Sequence, residues 1–272
     1  MLNYYLQETS YQGVTQLEVE DSFREIAKIV GNECKLDRFY KNSNYLYAFI
    51  DKRTTLYDML YGEKSRFNKE LLFRVVPYLL RHFKESYGPY QSIVEFKEAI
   101  NKEEAYFFLG AKFKNKREYE IETCEDYLLI REEVLRKNVS ARNSTTYLPL
   151  LLKNVELTSE GYEMFSTVSR KQQICEQLMA LDKYVSERMR NNNFSINDAR
   201  VFGLNISDES ESVHNNPKLS SMRSFYINNT LNSQFCFFHV KVGTIRIYIY
   251  PDNVNKRIYV PYIGNHLPTQ LY

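Results

Sequence analysis

Apolar residues recur every three or four positions over residues 159–191, and this is the clearest helical pattern in the chain. Such spacing places the apolar side chains on one stripe of a helix, which faces a core. The run "NNNFS" ends the pattern. The members of the stripe are Phe165, Val168, Cys175, Leu178, Leu181, Val185 and Met189.

Shorter helical patterns precede this stripe and predict a mostly helical N-terminal body. The first has Asp21 or Ser22 as its N-cap and Gly31 as its end, and Gly62 closes another. Residues 44–51 are typical of a strand or a buried segment. The predicted helices cover residues 21–31, 53–61, 67–86, 92–104 and 125–137.

From Val201 the period of the pattern changes from that of a helix to that of a strand. Residues 201–222 are rich in Ser, Asn and Asp, which predicts a connecting loop with one short strand. Turn-forming residues then separate segments that alternate between apolar and polar positions. The predicted strands cover residues 223–228, 235–242, 244–250 and 256–263.

The fold class predicted from these patterns is α+β, with a C-terminal antiparallel sheet packed on helices. The domain boundary follows the change of period. Residues 1–200 are predicted to be a helical body that senses or docks, and residues 201–272 a basic, β-rich module that binds or cleaves RNA.

Composition places the chain among folded globular proteins. Hydrophobic residues make up 43% of the 272 residues and charged residues 26%, which excludes wholesale disorder.

The four cysteines lie far apart with no CxxC spacing, so we expect free thiols without a zinc site or disulfide framework. No signal peptide and no run of 18 apolar residues is present, so we expect a cytoplasmic protein with no membrane partner.

Charge is distributed unevenly along the chain. Residues 214–272 carry six Lys and Arg against one Asp, a net charge of +5, whereas residues 1–213 carry −3. Three of the four histidines also fall in this segment, at positions 214, 239 and 266. A basic end of this kind suits a polyanion such as nucleic acid, and a solvated sheet face is an equally weighted alternative.

The alternation of the predicted strands gathers reactive side chains on one face of the sheet. A hairpin at Gly243 would bring His239 and Lys241 beside Arg246 and Tyr248. Such a face suits metal-free cleavage of RNA, since His, Tyr and Lys can move protons while Arg holds phosphate. No metal or other cofactor is expected. The same residues could also bind RNA or DNA without cleaving it.

The runs "FHVKVGTIRIYIY" and "KRIYVPYIGNHLPT", residues 238–250 and 256–269, resemble the C-terminal hairpin and last strand of RelE-type bacterial toxins. These are small ribosome-dependent messenger-RNA nucleases, much shorter than this chain. The resemblance implies that Arg246 holds phosphate and that Lys241 stabilises charge. It implies that the acid or base is one of three residues, namely His239, Tyr262 and His266.

The resemblance also implies partners. RNA is the expected ligand, on the ribosome in that family, and an antitoxin or a defence-system protein is a candidate partner. The wider C-terminal pattern, ending in "YIGNHLPT", is similar to uncharacterised proteins of bacterial mobile elements and phage-defence loci, which implies a toxin-like or antiviral context. The residues expected to bind nucleic acid are Arg223, Tyr248, Lys256 and Arg257.

Two other function classes stay open beside a metal-independent RNA-cleaving effector. One is a non-catalytic adaptor of a prophage or defence system that binds nucleic acid or protein. The other is a metal-dependent nuclease built on Glu95 and Lys97, which is less favoured because this pair is predicted to lie on a helix. The run "SDESES" at 207–212 is interpreted as a solvated loop, in preference to an acidic lid or a phosphorylation site.

Overall fold

The computed structural model describes residues 1–101, 105–227 and 232–269 of the chain. It divides the chain into two compact units, Met1–Val134 and Leu135–Tyr272. The boundary predicted at residue 200 therefore falls inside the second unit. None of the helices in the described ranges is both long enough and apolar enough to cross a bilayer.

A five-stranded parallel sheet lies at the centre of the first unit, with the strand order β3-β2-β1-β4-β5. This order runs outward from β1 in both directions, as in doubly wound sheets. A π-helical segment, Leu71–Val75, leads into α3. The strands are β1 Leu2–Leu6, β2 Asp37–Asn42, β3 Lys84–Ser86, β4 Ala105–Leu109 and β5 Glu120–Ile121, and the helices are α1 Gln16–Gly31, α2 Leu56–Tyr61, α3 Val76–His82, α4 Ile93–Ile100 and α5 Cys124–Asn138.

The prediction of a mostly helical N-terminal body misses this parallel sheet, so the first unit is mixed α/β. Its two central strands, "LNYYL" and "AYFFL", are buried at every position. A strand covered on both faces shows a continuous apolar run instead of alternation, so periodicity does not distinguish it from a buried helix.

Aromatic rings cover both faces of the parallel sheet. On one face Tyr4 stacks between Phe39 and Phe107, with ring centroids 5.2 and 5.4 Å apart. On the other face the ring of Tyr5 lies 5.3 Å from that of Phe96 on α4. Adjacent residues of β1 thus point to opposite faces, and both sides of the strand are packed.

Several predicted helices are present with different bounds. Thr15 is the N-cap of α1 and forms a capping box with Glu18, so the helix begins before the predicted caps. The predicted helix over 159–191 is divided near Arg170, whose φ is +60°. Residues 44–51 contain a short 3-10 turn, Tyr45–Tyr47, in place of a strand.

The second unit contains a five-stranded sheet in the order β6-β12-β11-β10-β7. Four of these strands are antiparallel neighbours, and β6 pairs in parallel with β12. The prediction of a C-terminal antiparallel sheet is confirmed for β10, β11 and β12. The strands are β6 Val155–Leu157, β7 Ile206–Asp208, β10 Phe238–Val242, β11 Ile245–Asp252 and β12 Arg257–Asn265, with β8 Ser224–Phe225 and β9 Gln234–Phe235 forming a separate pair.

Of the predicted strand at 223–228, only β8 is a strand, and residue 228 lies outside the described residues. The helices of this unit are short, apart from one that continues into a π-helical segment, Val185–Met189. These helices are α6 Ser144–Leu151, α7 Ser159–Thr167, α8 Lys171–Tyr184, α9 Ile196–Val201, α10 Glu211–His214 and α11 Pro217–Ser221.

Packing against β12 explains why residues 135–200 belong with the C-terminal sheet. The backbone N–H of Thr158 donates to the carbonyl of Val260 at 3.2 Å. At Gly161 of α7, an added Cβ would lie 2.1 Å from that same carbonyl oxygen, so helix and strand are in close contact. The buried Asp182 of α8 accepts from the backbone amides of residues 153–155 at 2.6–3.1 Å. These contacts fix β6 beside the sheet.

Candidate functional site

One row of polar side chains crosses the C-terminal sheet from β7 to β12. The register pairs Ser207 with His239, His239 with Tyr248, and Tyr248 with Tyr262. Directly opposed residues of antiparallel strands point to the same face. The next row pairs Lys241 with Arg246 on that face. The sheet therefore brings together the four side chains that the alternation predicted.

A buried carboxylate lies beneath this row. Glu209 follows β7, and its Oε1 accepts from the hydroxyl of Tyr248 at 2.7 Å. The same oxygen lies 3.2 Å from Nδ1 of His239, and Oε2 lies 2.9 Å from Nε of Arg223. Only 5% of the Glu209 side chain is exposed. One carboxylate thus contacts three side chains that come from three separate segments.

The charge state of Glu209 follows from these contacts. Burial by itself would raise the pKa of its carboxyl group, but the close contact of His239, the hydrogen bond from Tyr248 and the charge of Arg223 outweigh burial and lower the pKa to about 2. The carboxylate in turn acts with burial to raise the pKa of Tyr248 well above its ordinary value. Glu209 is therefore ionised and Tyr248 neutral at pH 7.

Ser207, His239 and Glu209 form a chain of hydroxyl, imidazole and carboxylate. Nε2 of His239 lies 3.1 Å from Oγ of Ser207, while its Nδ1 faces Glu209 at 3.2 Å. In this order a carboxylate orients a histidine, and the histidine can exchange a proton with a hydroxyl. His239 itself is only 5% exposed. Any proton that it exchanges with a ligand would therefore pass through the Ser207 hydroxyl.

An open cavity of about 720 Å³ adjoins the Ser207–His239–Glu209 chain. It is lined by Arg246 and by residues 266–269. The rings of His239 and His266 are 6.4 Å apart. Desolvation of the His266 ring, together with the charge of Arg246, lowers its pKa below the ordinary 6.5. His266 is thus a neutral base at pH 7.

Backbone carbonyls of the same hairpin use only some of the hydrogen-bond donors of the Arg246 guanidinium. Its Nη1 donates to the carbonyls of Gly243 and Ile245 at 2.8 and 3.0 Å. Its Nε is buried and has no hydrogen-bond partner within the described ranges. Because this Nε has no contact with the open space of the cavity, an acceptor there could meet only the outer nitrogens of the guanidinium.

The structure separates the other predicted nucleic-acid-binding residues from this cavity. Arg223 is fully buried, and its Nη1 and Nη2 donate to backbone carbonyls, so it is out of reach of a phosphate. Tyr248 is also fully buried and presents no ring to a base. Both residues belong to the support of the site, and the predicted contact with nucleic acid is corrected for them.

Two predicted basic residues lie at the far end of β12. Lys256 donates to the carbonyl of Asn192 at 2.9 Å, and Arg257 lies 3.5 Å from Glu156. Arg257 precedes Tyr262 by five residues, so at about 3.3 Å per residue they lie up to roughly 16 Å apart along the strand. A register shift between them keeps both on the same face, because Arg257 is paired with Asp252 and Tyr262 with Tyr248. The structure does not bring them to the site. Tyr262 does reach it, and its hydroxyl donates to the carbonyl of Asn265 at 2.9 Å.

Sequence reasoning missed Ser207 and Glu209. Both lie in "SDESES", and the interpretation of this run as a solvated loop is wrong for these two positions. Ser207 lies on the polar face of a strand that is only three residues long, too short to show alternation. The available signal was that the predicted basic sheet needed an acid, and this run is the nearest acidic one in sequence.

The alternative pair, Glu95 and Lys97, lies on helix α4 as predicted. Glu95 accepts from the backbone N–H of Gln91 at 2.8 Å, and Lys97 lies over the ring of Tyr106. These contacts explain the pair as part of a helix N-terminus and of its packing.

Comparisons with protein-family models, with curated proteins and with solved structures found no match to this chain.

Proposed function

We propose that the second unit binds RNA in the cavity between Arg246 and His266 and cleaves it without a metal ion. One observation carries the proposal: the guanidinium of Arg246 and the neutral imidazole of His266 line the same open cavity. An arginine that can bind phosphate beside a base is the minimum that this reaction needs.

The proton steps are divided between His266, which lines the cavity, and the Ser207–His239–Glu209 chain, whose His239 ring lies 6.4 Å from that of His266. His266 removes the proton from the 2′-hydroxyl, whose oxygen attacks phosphorus. Arg246 holds the phosphate and stabilises the charge that develops on its oxygens, and Lys241 on the same face adds a second positive charge.

The leaving group requires a proton as the bond from phosphorus to the 5′-oxygen breaks. The Ser207 hydroxyl donates this proton and regains one from Nε2 of a protonated His239, which becomes neutral; Glu209 orients this imidazole and balances its charge before the transfer. The products are a 2′,3′-cyclic phosphate and a 5′-hydroxyl. Water from solvent later opens the cyclic phosphate.

A second function, binding without cleavage, is favoured by the burial of His239. Both of its ring nitrogens face side chains of the protein, and only 5% of the residue is exposed. If the Ser207–His239–Glu209 chain serves only to hold the sheet together, Arg246 would still bind a phosphate. The protein would then be a nucleic-acid-binding adaptor.

Cleavage of a defined single-stranded RNA in EDTA distinguishes these two functions. We expect a 2′,3′-cyclic phosphate product and no reaction when the 2′-hydroxyl at the scissile position is replaced by hydrogen. His266→Ala should reduce the rate by about 10²–10⁴-fold, the range for a positioned proton-transfer group. Arg246→Ala should weaken both binding and the rate.

Arg257→Ala is the matched control, because Arg257 lies on the same sheet but away from the cavity. Its cleavage rate should equal that of the unmodified chain. RNA binding without any cleavage, with or without added ribosomes, would support the adaptor. A rate that His266→Ala leaves unchanged would refute the cleavage mechanism.

The toxin-like or antiviral role is tested separately in cells. Induced expression in a bacterium should slow growth and fragment RNA, and Arg246→Ala should restore both growth and RNA integrity. Normal growth with intact RNA at equal protein levels would count against a toxin-like effector.

A further inference from the structure

A second cavity of the C-terminal unit, of about 260 Å³, lies beside β6, an outer strand of the sheet. It shares no lining residue with the cavity proposed for RNA, which Arg246 and residues 266–269 line. Most of its lining is apolar, so it suits an apolar side chain. The apolar and aromatic lining residues are Leu148, Pro149, Leu152, Val155, Leu157 and Tyr162.

Residues from both faces of the sheet line this cavity. Val155 and Leu157 alternate with Glu156 along β6, so their side chains point to the face opposite to that of Glu156. Arg257 is on the same face as Glu156 and lies 3.5 Å from it. A cavity that touches residues of both faces lies along the outer edge of the strand, and helix α6 forms its other wall.

The pairing of β6 with β12 decides which backbone groups of β6 point outward. The N–H of Ile258 donates to the carbonyl of Asn154 at 2.9 Å. The N–H of Thr158 donates to the carbonyl of Val260 at 3.2 Å. Residues 154, 156 and 158 therefore direct their backbone groups toward β12, and residues 155 and 157 direct theirs away from it.

Two residues of β6 thus present backbone groups at the outer edge of the sheet. The N–H of Val155 donates to the carboxylate of Asp182 at 3.1 Å, in agreement with this direction. The N–H and C=O of Leu157 have no hydrogen-bond partner in the part of the chain that the structure describes. An unpaired strand edge of this kind is a template for pairing with another chain, and Leu157 itself lines the cavity.

We propose that this edge binds an extended peptide segment of another protein, which adds a strand beside β6. An extended peptide supplies both an acceptor for the Leu157 N–H and a donor for the Leu157 C=O. The cavity accommodates one large apolar side chain of that peptide.

Charge at the rim of the cavity selects the residue next to the apolar one. Neighbouring residues of a strand point to opposite faces, so that residue would lie on the face of Arg257. Among the described lining residues, Lys153 and Arg257 are cations and Glu156 is the one carboxylate. An acidic residue complements this excess of positive charge. The preferred segment therefore has a large apolar residue beside Asp or Glu.

Selection of a random peptide library on phage against the full chain, with counter-selection against Leu157→Pro, tests this site. Proline removes the outward N–H, and an outer strand tolerates proline where the N–H is not part of the ladder. We expect the selected peptides to share an acidic residue beside a large apolar one. Ser159→Pro is the matched control, because Ser159 is the first residue of α7, where proline is tolerated, and it does not line the cavity.

Methyl groups on the nitrogens of a selected peptide test the pairing without any change to the protein. In a strand beside β6, the N–H groups of alternate residues face β6 and the others face solvent. Methylation at the residues that face β6 should weaken binding about tenfold or more, and methylation at the others should leave the affinity unchanged. Fluorescence anisotropy of the labelled peptide measures both.

The proposal is overturned if no selected peptide distinguishes the full chain from Leu157→Pro, or if the effect of methylation does not alternate along the peptide. It is also overturned if the chain forms a dimer in solution that Leu157→Pro dissociates, because a second copy would then occupy the edge. None of these readouts depends on RNA cleavage, so this site and the proposed nuclease site are tested independently.

Discussion

At the scale of single residues, Glu209 is the residue on which the C-terminal site depends most. Arg223 is fully buried beside it, and His239 and Tyr248 both contact its Oε1. Removing one member of a buried ion pair leaves the other charge uncompensated, whereas exposed pairs contribute little. The site is therefore coupled to the stability of its unit.

We expect Glu209→Gln to lower the free energy of unfolding by about 3–5 kcal/mol, because Arg223 would stay buried without an opposite charge. Urea unfolding at neutral pH measures this change. Glu211→Gln is the control, because Glu211 is an exposed neighbour in the same run. Equal stability of the two variants would contradict the coupling.

The lowered pKa of Glu209 also predicts how stability depends on acid. A carboxyl group whose pKa is depressed in the folded state stabilises above its unfolded pKa, and this contribution is lost as pH falls through the folded pKa. For Glu209 the loss should occur between the ordinary 4.5 and about 2. Unfolding measured across this window should show a smaller loss of stability in Glu209→Gln than in the unmodified chain.

His266 offers a direct test of the electrostatics of the cavity. Its pKa lies below 6.5 through desolvation and, second, through the positive charge of Arg246. In Arg246→Gln the pKa of His266 should therefore rise, as followed by proton NMR of the imidazole. Lys256→Gln, which removes the same charge at the far end of the strand, should leave the pKa of His266 unchanged. A titration that does not move in Arg246→Gln would contradict this assignment.

At the scale of secondary structure elements, alternation predicted the C-terminal strands and little of the N-terminal ones. In "HVKVGTIRIYIY" each polar residue marks a face, so the hairpin and its shared surface could be derived from sequence. In "LNYYL" no polar face exists, because both sides of β1 are covered by aromatic rings. Glu209 escaped prediction because its partners are 14, 30 and 39 residues away, a proximity that only the sheet register creates.

The contact between α7 and β12 gives a prediction at this scale. Gly161→Ala should lower the free energy of unfolding by about 1–3 kcal/mol, the range for overpacking, because the new methyl group would meet the Val260 carbonyl. Gly31→Ala is the control: an added Cβ there meets nothing within 4 Å, so the change should be neutral or stabilising. Chemical denaturation of both variants measures the difference, and a Gly161→Ala variant of unaltered stability would show that the packing can relax.

At the scale of the whole molecule, two compact units with different sheets share one chain. The first has a parallel sheet and the second a largely antiparallel one. Each unit contains its own cavity with an ionisable group, Glu8 in one and His266 in the other. The cavity proposed for RNA is lined by residues of the second unit alone.

This division predicts that residues 201–272 do not fold alone. The fragment lacks β6, which pairs with β12 at Ile258, and it lacks α7 and α8. Amide hydrogen exchange should show little protection in a 201–272 fragment and protected β10–β12 amides in a fragment of residues 135–272. Equal protection in the two fragments would support the boundary at residue 200.

The position of β7 at the end of the strand order has a consequence for the lifetime of the site. β7 is three residues long and pairs with a single neighbour, β10, yet it carries Ser207 and leads directly into Glu209. Short outer strands open locally far more often than the central strands of a sheet. Each such opening would withdraw a hydroxyl and a carboxylate from His239 while β10, β11 and β12 remain paired. The molecule would then alternate between an assembled and a dismantled site within one intact fold, and a ligand that holds β7 in place would select the assembled form.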